Sequence, residues 1–62
     1  MRYIQYIKNL REMNYPDIRI ERILDISHWT LVKIDNGESL RDWTIAKIEK
    51  NYDTFINKIK NY

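Results

Sequence analysis

Sixty-two residues make one small domain, and a chain this short buries only about 60% of its unfolded surface, so its core is marginal. With no cysteine, no disulfide or thiolate-bound metal can staple it, and the expected location is the reducing cytoplasm. A hydrophobic share of 44% and an aromatic share of 13% exclude a disordered tail, while a net charge of +2 falls short of a strong basic stripe.

The charge is uneven. Residues 1–13 carry +2, residues 14–37 carry −1, residues 38–51 balance, and residues 52–62 carry +1. The first segment, MRYIQYIKNLREM, is charged and has no continuous apolar run. It is read as neither signal peptide nor membrane span. Ile4, Ile7 and Leu10 fall at helical spacing and predict a first helix over Arg2 to Met13. Pro16 disfavours helical geometry at Tyr15 and then suits the first turn of a second helix, expected from Pro16 to Leu24 with Ile20, Ile23 and Leu24 inward.

Asp25 and Ile26 read as a turn, Ser27 as the N-cap of a third helix with Leu31 and Ile34 inward, and Gly37 as its left-handed close. Ser39 is expected to cap a fourth helix, with Asp42 in the reciprocal position of a capping box. That helix is expected to bury Leu40, Trp43 and Ile48. A break is expected at Asn51 to Asp53, followed by a last helix lined by Phe55, Ile56 and Ile59. The predicted core joins Ile20, Leu24, Ile26, Leu31, Ile34, Leu40, Trp43 and Ile48, and the five tyrosines are expected at its edge. No repeat or low-complexity segment is read. The expected class is all-α: a compact four- to five-helix bundle, one domain over residues 1–62.

Two helices of about eight residues joined by a short turn, over about residues 16–36, have the pattern of a helix-turn-helix. Ile20 and Leu24 lean on the second helix, Ile26 drops from the turn into the core, and Leu31 and Ile34 anchor the rear. The front is then free to enter a major groove. With one His, no Cys, no nucleophile–base pair and no phosphate-cradling glycine loop, an enzyme, a cofactor and a metal site are not expected.

The segment IERILDISHWTLVKIDNGESL resembles the lambda-repressor/Cro-like (XRE) family of DNA-binding domains, whose members read like I-A-x-x-L-G-I-S-x-x-T-I-S-K-I-E-N-G. Ile26-Ser27, Thr30-Leu31 and Lys33 to Gly37 fall in register without a gap. Leu10-Arg11 resembles the family's first helix, and Ser39-Leu40 with Ile45 to Ile48 resembles its fourth. The resemblance implies that Ser27, His28, Trp29, Thr30, Val32, Lys33 and Asn36 face double-stranded DNA. His28 would donate to a base, Lys33 would reach a guanine edge or a phosphate, and Thr30 would hold a phosphate. Arg2, Arg11, Arg41, Lys47 and Lys50 are further candidates for backbone phosphates.

Three positions depart from the pattern. Glu21 stands at a usual alanine, Asp25 at the turn glycine, and Asp17 at a glutamine that commonly touches phosphate. The implied activity is transcriptional regulation at a pseudo-palindromic operator, by a homodimer formed through residues 53–62. The Ile, Lys, Asn and Tyr usage fits an AT-rich genome, and the size fits a phage or mobile-element regulator. The alternative is a protein-binding module, such as an antirepressor or an inhibitor of a host factor. Its apolar patch would hold Trp29, Val32, Ile18 and Ile23.

Overall fold

Residues 2–60 are described by a computed structural model, and among them the regular structure is four helices and no strand. These are α1 (Arg2–Glu12), α2 (Asp17–Leu24), α3 (His28–Asp35) and α4 (Asp42–Lys60). Tyr3, Ile7 and Leu10 recur at helical spacing on α1 and meet Ile20 and Leu24 of α2, Leu31 and Ile34 of α3, and Ile48 of α4. Those eight side chains are the buried core. Ile26 and Leu40 pack against it half-buried, and Tyr3 lies inside it at 3% exposure rather than at its edge.

Three helix ends close in the same way. An amide just past each helix donates five residues back, Tyr15 to Leu10, Ile26 to Glu21 and Glu38 to Lys33, and the preceding amide donates to the next carbonyl along. The residue in the left-handed conformation is Asn14 (φ 69°), Asp25 (φ 55°) and Gly37 (φ 73°) in turn. Asp25 thus does the work of the turn glycine, since its short polar side chain tolerates that region better than most.

Two expectations for the C-terminal third are corrected. The chain does not break at Asn51 to Asp53, and α4 is one helix of 19 residues. Tertiary contacts carry it across. The Asn51 side-chain amide donates to the Leu24 carbonyl at 2.8 Å, and Tyr52 stacks on Tyr6 at 4.0 Å while accepting a hydrogen bond from Asn9. Nor does Ser39 cap α4. The helix begins at Asp42, and the Arg41 carbonyl accepts its first bonds, from Thr44 and Ile45. Ile45 and Ile48 face the core, and Trp43, about 200° round the helix from Ile45, faces outward. Trp43 is 63% exposed and is not a core residue. Among the described residues, no helix is long and apolar enough to cross a membrane.

Candidate nucleic-acid interface

The third helix is held from behind. Ser27 caps it, its hydroxyl oxygen accepting the Thr30 amide at 3.1 Å, and Leu31 and Ile34 pin it to the core. His28, Trp29, Lys33 and Asn36 are exposed, whereas Thr30 and Val32 are half-buried. The Thr30 hydroxyl lies 3.0 Å from that of Ser27, so the two share a hydrogen bond at the cap. Trp29 is 73% exposed, with only the His28 ring as a close aromatic neighbour, edge-on at 5.8 Å.

Charge on α3 is sorted front from back. Its one carboxylate, Asp35, points away from the outward face to Arg11, which grips it through two nitrogens at 2.8 and 2.9 Å. Arg11 also reaches Asp17 at 3.2 Å, so one guanidinium ties together the end of α1, the start of α2 and the end of α3. Hydrogen bonding to Asp35, and then to Asp17, raises the Arg11 pKa against the opposing effect of burial. The same bond holds Asp35 below its ordinary value. Arg11 is therefore engaged within the fold and is withdrawn from the phosphate candidates.

The acids of α2 and of the turn after it each stand beside a cationic or ionisable nitrogen. Asp17 meets Arg11, the half-buried Glu21 meets His28 Nδ1 at 3.1 Å, and Asp25 lies 3.9 Å from Lys47 Nζ. The Glu21 contact fixes the His28 ring through Nδ1 and leaves Nε2 for an outside partner.

Between α3 and the start of α4 lies an open cleft of about 350 Å³. Thr30 and Lys33 line it from α3, Ser39 and Arg41 from the connecting loop, and Trp43 and Thr44 from α4, with Leu40 completing the lining. Among the described residues that line it there is no carboxylate. Trp43 and Arg41 thus join Lys33 at one surface, a grouping the sequence reading missed for Trp43. The signal was present as a short repeat: WTLVKID at 29–35 and WTIAKIE at 43–49. The two copies share Trp, Thr, Lys and Ile at the same spacing, and in both the Trp is exposed and the Ile buried.

In the segment proposed for pairing, Phe55 and Ile56 are half-buried and Phe55 packs edge-on against Tyr15 at 5.5 Å. Ile59 is 42% exposed. Residues 61 and 62 of that segment lie outside the described residues. Of the alternative apolar patch, Ile18 (59%) and Trp29 are exposed, whereas Ile23 packs against the core and Val32 is half-buried. Compared with known proteins, the chain matches no family model, no curated protein and no solved structure.

Proposed function

We propose that the chain is a sequence-specific DNA-binding regulator in which α2 and α3 act as a helix-turn-helix and α3 reads the major groove. One observation carries this reading: α3 is anchored through Leu31 and Ile34 and presents His28, Trp29, Lys33 and Asn36 outward, its only carboxylate turned back to Arg11. A helix entering a groove between phosphate rows needs an acid-free front and a rigid rear. Lys33 supplies a base-edge or phosphate donor, the neutral His28 ring, with its Nδ1–H directed to Glu21, presents Nε2 as an acceptor for a base-edge N–H, and Arg41 beside Lys33 supplies a backbone cation. Pairing of Asp17, Glu21 and Asp25 with nearby basic groups lowers the repulsion those acids would otherwise exert on phosphate.

A small helix-turn-helix reads few base pairs, so two copies on a two-fold symmetric operator fit the role, paired through residues 53–62. Selection of bound fragments from random duplexes is expected to return a pseudo-palindrome. Its affinity should fall steeply with salt, and Lys33→Ala or His28→Ala should weaken it by about 1–3 kcal/mol without lowering the melting temperature. Equal affinity for selected and scrambled duplexes would overturn the reading. The exposed pair Ile18 and Trp29 favours a protein-binding module as the second reading, and a protein partner lost in Trp29→Ala with no DNA bound at all would establish it.

A further inference from the structure

Two indoles stand 73% and 63% in solvent, on a chain with no core to spare. Each begins a copy of the same W-T-x-x-K-I segment, and each has a lysine one helical turn on, Lys33 after Trp29 and Lys47 after Trp43. The copies meet at the cleft, which takes Thr30 and Lys33 from the first and Trp43 and Thr44 from the second. Lys47 Nζ sits over the Trp43 ring at 5.6 Å from its centre, while the indole itself stays 63% exposed and lines the cleft. Asp42, next to Trp43 in the chain, does not line the cleft.

Major-groove reading uses little of this. In a duplex the bases stack on one another, so an indole beside the backbone meets sugar and phosphate and finds no π-face. An unpaired base offers that face, and its flanking phosphates need cations. Those are the two components of single-strand binding: aromatic platforms for the bases and a basic groove for the backbone. The cleft volume, about 350 Å³, lies at the low end of small-molecule sites, which begin near roughly 300 Å³, and suits one nucleotide unit.

We propose that this cleft is a binding site for single-stranded nucleic acid, with a base stacked on Trp43, its phosphates on Lys33 and Arg41, and hydroxyls of Ser39 and Thr44 at the sugar–phosphate edge. Trp29, on the same side of α3 as Lys33, offers a second platform along the strand. The proposal shares Lys33 and Trp29 with major-groove reading and is told apart from it by Trp43, the ring that it alone depends on.

The test is fluorescence anisotropy of a labelled oligothymidylate of about twelve nucleotides with the intact chain, beside a duplex of equal length. The parent is expected to bind the single strand with an affinity that falls with salt. Trp43→Ala should lose about tenfold or more, Trp43→Phe should keep most of it, and Lys33→Ala with Arg41→Ala should flatten the salt dependence. Trp43 is mostly exposed, so its variants should melt as the parent does, and circular dichroism checks this. No binding of the oligothymidylate, or equal binding by Trp43→Ala, overturns the proposal. So does a duplex that binds more tightly and loses the same factor in Trp43→Ala, which would make the cleft a seat for duplex backbone. Duplex affinity lost in His28→Ala but kept in Trp43→Ala reports on major-groove reading alone.

Discussion

Arg11 is the residue whose role lay furthest from its local sequence. Its charge made it a phosphate candidate. Its partners lie 6 and 24 residues away, a separation that no local pattern reports. The guanidinium instead clamps three helix ends together at a half-exposed site, where ion pairs are each worth about 0.2–1 kcal/mol. Arg11→Met keeps most of the apolar stem and removes both pairs, with an expected cost of about 1 kcal/mol near neutral pH. The pH dependence follows from Asp35, whose folded pKa is depressed by Arg11. The stabilisation is fully present above the unfolded aspartate pKa of about 3.9, and is lost as pH falls through the lower folded value. Denaturant melts of parent and variant should differ near neutral pH and converge once the pH has fallen below the depressed folded value of Asp35, and a gap of undiminished size in acid would mean that Arg11 acts through packing alone. Trp29 and Trp43 carry the complementary lesson. In the W-T-x-x-K-I string the Trp lies about 140° round the helix from the Ile, so once Ile34 and Ile48 are buried both rings turn outward.

Local signals at the helix ends were legible where the required residue type is narrow. Ser27 caps α3 and Gly37 closes it as expected, because few residues perform either task well. Gly37 gives a clean measure of the left-handed requirement, since an added Cβ would meet nothing within 4 Å and only the backbone would be strained. Gly37→Ala is therefore expected to cost about 1–2 kcal/mol by thermal melt, while Asp25→Gly, which relieves the same strain in the other loop, should cost nothing or raise the melting temperature. A neutral Gly37→Ala would show that the end of α3 relaxes into another turn. The continuity of α4 was not legible, for the opposite reason. Asn51-Tyr52-Asp53 is poor helix material on its own, and it stays helical because Asn51 and Tyr52 have partners on α2 and α1. Asn51 supplies a donor to the last carbonyl of α2, a group with no partner inside its own helix. Asn51→Ala removes that donor at a half-buried site and is expected to cost about 1–2 kcal/mol, with the amides around Leu24 exchanging faster. Unchanged exchange there would mean that water replaces the amide without cost.

At the scale of the molecule, the all-helical class and five of the eight expected core positions, including Leu24 and Leu31, follow from period-3.6 spacing that a small bundle cannot satisfy in many ways, with Ile26 half-buried against them. Leu40 packs against the core from the loop instead of from a helix, and Trp43 alone is outside it. Assembly is a different matter, because spacing marks an apolar face without saying what covers it. Phe55 turns out to be used within the monomer, edge-on to Tyr15, and Ile59 is the large apolar side chain that the end of α4 leaves exposed. One isoleucine with a half-buried neighbour at Ile56 offers far less than the roughly 800 Å² per partner of a stable interface. Under the proposed DNA-binding function, a pair of this kind would need DNA to hold its members side by side, where a weak contact acts at high effective concentration. Sedimentation without DNA should therefore find a monomer at micromolar concentration, and two copies should load cooperatively on a full operator. A two-fold contact uses each side chain twice, so Ile59→Asp introduces two charges at one patch. The variant should fold like the parent, bind a half-site with parental affinity and lose cooperativity on the full operator. Parental cooperativity in Ile59→Asp would remove the C-terminal end of α4 from the interface.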